Sequence, residues 1–131
     1  MLDAPASTPI TEQTPPAIGK EWQGGIYIGH TLHENQLAEL VVLPEEFEGN
    51  WKNAMAWAEK HDAVLPSRVD ALLMFQQRQA LKIDSDWYWT AEAHHEDTAY
   101  AWCQDFGYGN QGSDPKGHYS RARAVRRIVI R

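Results

Sequence analysis

The densest run of potential metal and proton-transfer groups in the sequence is His94-His95-Glu96-Asp97. Imidazole and carboxylate are zinc ligands and general acid/base groups, so one reading is a metal-assisted enzyme using His94, His95 and Glu96. Adjacent residues on one loop rarely share an ion, and no third His or Cys stands at a recognised metal spacing. The reading preferred here therefore takes no metal and no cofactor. Cys103 is the single cysteine; it can form neither an internal disulfide nor a thiolate zinc site. It alternates with Trp102 and Gln104 on the small-residue side of a strand, which suits a buried apolar thiol better than a nucleophile. No G-x-S-x-G, phosphate-cradling glycine loop or H-E-x-x-H occurs. Acidic neighbours such as Glu45 and Glu46 read as a solvated turn.

The stretch Gly107 to Tyr119 is glycine-rich and interleaves Tyr108, Asn110, Gln111, Asp114, His118 and Tyr119. Aromatic, amide and acidic groups on a long loop between strands are the means of an adaptable recognition surface. The candidate ligand-binding residues are thus His94, His95, Tyr108, Asn110, Gln111, Asp114 and Tyr119. No catalytic residue is assigned.

The elements that must position these groups follow from periodicity. Residues 1–19 hold Pro5, Pro9, Pro15 and Pro16 among Ser and Thr and read as a flexible leader before one domain over 20–131. Ile26–His30 and Ala38–Leu43 flank a polar turn at Glu34-Asn35 and predict a β-hairpin, with Pro44 ending the second strand and 45–49 forming a loop. Asn50 caps a first helix whose Trp51, Ala54, Met55 and Ala58 share a face. Ser67 and Asp70 form a capping box for a second helix from Arg68 to Leu81. Strands follow at Trp87–Thr90 and Thr98–Phe106, and a last one from Ser120 to Arg131. This order, without βαβ alternation, predicts an α+β domain with a mainly antiparallel sheet.

The 131 residues carry a net charge of −6, unevenly placed. Residues 1–115 hold all 18 acids and 6 of the 12 bases, a net of −12, and residues 116–131 hold the other 6 bases. An acidic body argues against direct nucleic-acid binding, which needs a basic face. It also admits a rival reading, an intracellular inhibitor that mimics phosphate charge toward a host nucleic-acid-binding defence protein. No apolar run of about 18 residues and no secretory start occurs, so a cytoplasmic protein without membrane contact is expected.

Trp51 with Ala58-Glu59, Leu65-Pro66-Ser67-Arg68, Trp87-Tyr88-Trp89-Thr90, Ala101-Trp102, Phe106, Gly109-Asn110-Gln111-Gly112 and Arg123-Ala124-Val125-Arg126-Arg127 form an ordered pattern over about residues 22–131. The pattern resembles the Lcl C-terminal-like domain family, a family of unknown function common in bacteria and prophages. The resemblance implies a C-type-lectin-like fold, with two helices beside a small twisted sheet and loops 94–98 and 107–119 projecting as the ligand surface. It implies a small phage- or prophage-associated binding protein, in the host cell or on a virion, whose partner is a protein or a glycan. The paired cysteines of the related formylglycine-generating enzymes and the EPN, QPD and WND calcium signatures of sugar-binding lectins are missing here. Arg123, Arg126 and Arg127 are assigned to structure, as guanidinium forks that tie strand and loops to carboxylates or carbonyls.

Overall fold

A computed structural model describes residues 14–130. Residues 1–13 of the expected leader and Arg131 lie outside the described residues. The elements in chain order are β1 (Glu21–Trp22), β2 (Gly25–His33), β3 (Gln36–Gly49), α1 (Trp51–Lys60), α2 (Arg68–Gln76), α3 (Arg78–Leu81), β4 (Trp87–Ala93), β5 (Tyr100–Asp105), β6 (Gln111–Pro115) and β7 (Ser120–Val129).

The strands form one seven-stranded mixed sheet in the order β1-β2-β3-β7-β4-β5-β6. This corrects the expectation of two helices beside a small C-type-lectin-like sheet. Two stretches assigned to loops account for the difference. Pro44 does not end β3: the register shifts between Val42 and Glu46, and Glu46–Gly49 resume pairing with Arg123–Ser120 of β7. A proline lacks a ladder donor, and a register irregularity is where a strand tolerates it. Likewise the glycine-rich stretch is not one long loop, because Gln111–Pro115 pair antiparallel with Gln104–Tyr100 as the edge strand β6. The second helix is also shorter than its apolar spacing predicts. It ends at Gln76, and the single turn α3 follows after Gln77, whose φ of −108° leaves the helical region.

The hairpin between β2 and β3 closes through Glu34 and Asn35, both at positive φ (51° and 63°), the backbone that a two-residue hairpin turn requires. α1 starts as read, with Asn50 Oδ1 accepting from the Asn53 amide. α2 has its full capping box between Ser67 and Asp70.

Helices cover both faces of the sheet. On one face α2 and α3 bury Met74 and Leu81 against Ile28, Leu40, Val42, Tyr88, Phe106 and Val125. On the other, Ala54 and Ala58 of α1 meet Trp89, Ala101, Cys103, Ala122 and Ala124. Alanines on both sides let the helix approach closely enough to enclose the Trp89 ring, whose indole N–H donates to the Gly49 carbonyl at 2.9 Å.

The centre of the sheet is a junction. β7 pairs with β3 along most of its length but meets β4 at a single parallel pair, Tyr88 with Arg121. Because β5 is antiparallel to both β4 and β6, strands β4, β6 and β7 all run the same way. The chain must therefore cross β5 and β4 to pass from β6 to β7, and only residues 116–119 do so. Parallel connections commonly take about a dozen residues or more, so this crossing is drawn tight across the sheet. It is pinned where the Lys116 amide donates to the Ala99 carbonyl (2.9 Å) and the Trp51 amide donates to the Lys116 carbonyl (3.0 Å).

Candidate functional site

The single-pair junction and the tight crossing leave a groove of about 320 Å³ on the Cys103 face of the sheet. Trp87 and Cys103 come from β4 and β5, Gly112, Ser113 and Asp114 from β6, and Tyr119 from the crossing; Glu48, Asp86, Ser120 and Arg121 complete the lining. Period two puts Trp87 and Trp89 on one face of β4. α1 covers Trp89, which is fully buried, while Trp87 stays 41% exposed. Gly112 adjoins it, and a Cβ there would make ordinary contact with the Trp87 ring at 3.6 Å.

The charges of the groove are unequal. Arg121 is the sole base among the described residues of the lining, and it is engaged: Nη1 meets Asp84 Oδ2 at 2.5 Å and Nε meets Asp86 Oδ2 at 3.2 Å. Glu46 stands further off at 3.7 Å. Hydrogen bonds that Arg121 makes to Asp84 and with Tyr88 push its pKa up, so it remains a fixed cation. Among the described residues Asp114 pairs only with the exposed His118 imidazole, Nδ1 to Oδ1 at 3.3 Å. Glu48 makes no ion pair among the described residues.

Cys103 is 2% exposed in the floor. Burial pushes its thiol pKa up to about 12 and the Asp114 charge adds to that, against a smaller opposing hydrogen bond with Ser120. The thiol is thus protonated near neutrality, and no histidine lines the groove to take its proton. The groove presents shape, aromatic surface and negative charge.

The candidate residues read from the sequence divide. Asp114 and Tyr119 line the groove, and Tyr119 is 74% exposed. Tyr108 is 89% exposed on the β5–β6 turn, outside the lining. Gln111 is spent inside the fold: its Nε2 donates to the Arg68 carbonyl (2.8 Å) and to Gln104 Oε1 (2.9 Å), and its Oε1 accepts from Arg68 Nε (2.9 Å). The Asn110 carbonyl accepts from the Asp105 amide (2.8 Å) and from Gln104 Nε2 (3.2 Å).

His94 and His95 lie in the β4–β5 connection, at the end of β5 opposite the β5–β6 turn. Their rings stack on each other at 5.5 Å, and His94 also stacks on Trp102 at 5.0 Å. His94 Nδ1 accepts from the Glu96 and Asp97 amides at 3.2 and 3.3 Å, which makes it a turn-former. Among the described residues no three His, Cys, Asp or Glu side chains group as metal ligands.

The arginines of β7 all have bonds. Arg123 is buried and donates to the Leu43 and Leu81 carbonyls at 2.8 and 3.1 Å, with Glu46 at 3.6 Å. Its burial lowers its pKa. Arg126 donates to the carbonyls of His61, Asp62 and Gln23, and Arg127 to Asp70.

Sequence reasoning missed Trp87, Glu48, Asp86 and Ser120. One signal was available: in Trp87-Tyr88-Trp89 the outer tryptophan adjoins turn-forming Asp84-Ser85-Asp86, where coverage by a helix ends. Glu48 gave none, because its place depends on β3 continuing past Pro44.

A second depression, of about 370 Å³, lies between the β2–β3 hairpin and α2, where Leu32, Leu37, Val69 and Leu72 give it mainly aliphatic walls. No helix among the described residues is long and apolar enough to cross a membrane. No protein-family model matches the chain, and no curated protein matches it.

Proposed function

We propose that this is a non-enzymatic binding protein that recognises a protein partner through the groove between β4, β6 and the residue 116–119 crossing. The observation that carries the reading is the pairing of exposed aromatic rings, Trp87 and Tyr119, with a floor whose thiol is held protonated. Exposed tryptophan and tyrosine beside a concavity are the usual anchors of recognition surfaces. A protonated thiol without a neighbouring base offers no nucleophile. The volume lies at the lower end of the range of about 300–1,000 Å³ for ligand sites, which suits one inserted side chain better than a cofactor.

The two most exposed tyrosines separate the possibilities. A photo-crosslinking residue is placed at either position (Tyr119→p-benzoylphenylalanine or Tyr108→p-benzoylphenylalanine) in cells that make the protein. An adduct from position 119 that is lost with Trp87→Ala supports the groove. An adduct from position 108 alone moves recognition to the β5–β6 turn, and no adduct from either overturns the reading.

A further inference from the structure

We infer that the groove takes a lysine or arginine side chain of the partner, its cationic head held by Trp87 and the carboxylate of Asp114. The inference rests on the groove being a protein-recognition site and names the chemistry it recognises.

Charge decides the sign of the ligand. Arg121 and Asp86 answer each other at 3.2 Å, and Asp84 takes the rest of the guanidinium. What is left on the Cys103 face of the lining is negative: Asp114, whose one ion-pair partner among the described residues is the exposed His118 imidazole. An anion would meet carboxylates with no free cation to hold it. The Asp114 charge also reaches inward, since it helps hold the Cys103 thiol protonated.

The aromatic wall decides the shape of the ligand. A tryptophan face attracts ammonium and guanidinium groups. The Trp87 ring lies beside Gly112 and is 41% exposed. A cation on a methylene stem fits both the ring and the neutral thiol of the floor, because the stem buries against apolar surface while the head reaches the rim. Nor is the groove filled from within. Arg121, Arg123, Arg126 and Arg127 are all bonded elsewhere, and Lys116 lies over the Trp51 ring at 4.6 Å.

The test is a titration of the ¹⁵N-labelled full chain, at low ionic strength, with N-acetyl-arginine methylamide and N-acetyl-lysine methylamide. The Trp87 indole and the Gly112 and Asp114 amide resonances are expected to move saturably and to return on adding salt. The uncharged isostere N-acetyl-citrulline methylamide is expected to leave them in place. Asp114→Asn is expected to weaken binding about tenfold. An unshifted Trp89 indole resonance in this variant certifies its fold.

Equal response to citrulline, or no response to either cation, overturns the inference. So does movement of the same resonances by a neutral disaccharide in place of the cations. In any of these cases an adduct from position 119 would still stand, so failure of the ligand class and failure of the recognition reading are told apart.

Discussion

Asp70 and Arg127 are joined by two hydrogen bonds to one oxygen: Arg127 Nε and Nη2 reach Asp70 Oδ2 at 3.0 and 2.5 Å. The same carboxylate receives the Thr31 hydroxyl at 2.5 Å on Oδ1 and the Ser67 amide at 2.9 Å on Oδ2. Asp70 is therefore at once the capping-box residue of α2, the anchor of β2 and the counter-ion of β7, and it is fully buried. The basic end of the sequence and its acidic body meet here.

Breaking this pair is costly in a way that replacing it need not be. Removing one partner of a buried ion pair commonly costs about 3–5 kcal/mol, since the other charge is left desolvated. Asp70→Asn and Arg127→Met are each expected to fall in that range by urea denaturation. The double variant Asp70→Leu/Arg127→Met should lose less than the sum of Asp70→Leu and Arg127→Met measured singly, which exposes the coupling.

The β5–β6 turn is fixed by Gly109, whose φ is +92°. A side chain there is strained whatever the space, and a Cβ would also stand 2.8 Å from the Phe75 ring. An aromatic ring packed against Phe106 cannot step aside cheaply. Gly109→Ala is expected to destabilise by about 1–3 kcal/mol, from the left-handed backbone and overpacking together. Thermal melts measure it.

Three groups make stability fall in alkali. Burial, followed by the hydrogen bond and charge of Glu39, pushes the Tyr27 phenol up to about 12 from 10. Burial and Glu46 do the same for Tyr88, and Cys103 rises from 9 to about 12. A raised pKa means that the folded chain keeps a proton the unfolded chain has lost, so stability is whole below pH 9 and declines as pH rises from there toward 12. Tyr27→Phe should flatten the decline above pH 10, and Cys103→Ala the part beginning at pH 9. Denaturation midpoints across pH 8–12 check the sign. Native Cys103, whose thiol stays protonated, should also react with a thiol reagent at pH 8 far more slowly than an unperturbed cysteine.

Local signals made much of this fold legible. Asn50, Ser67 with Asp70, and Glu34-Asn35 mark their caps and turn because each acts on backbone a few residues away. The alternation around Cys103 likewise gives its burial. What stayed hidden depends on pairing across distance. Nothing near Pro44 says that Glu46–Gly49 will find Ser120–Arg123 and resume a strand, and nothing in Gln111–Pro115, with its glycine and proline, reads as β until Tyr100–Gln104 supplies a partner. The candidate site shared that fate. Asp114 and Tyr119 were visible as loop residues, whereas Glu48, Asp86 and Trp87 join them only through the unpaired flank of β4 and β7.

Gln111 and Tyr119 were read alike from the sequence, and their surroundings now separate them. The Gln111 amide uses both ends to hold Arg68, whose guanidinium also lies 3.7 Å over the Trp102 ring. Gln111→Ala removes three bonds from a half-buried network and leaves Gln104 Oε1 and the Arg68 carbonyl short of a donor, a loss of about 1–3 kcal/mol. Tyr119 is exposed, and Tyr119→Ala should change stability by no more than about 0.5 kcal/mol. Capture of the partner should show the reverse order: largely lost with Tyr119→Ala, and kept by Gln111→Ala below its own melting temperature. If Gln111→Ala abolished capture while still folded, the β6 edge and not the groove would be the recognition surface.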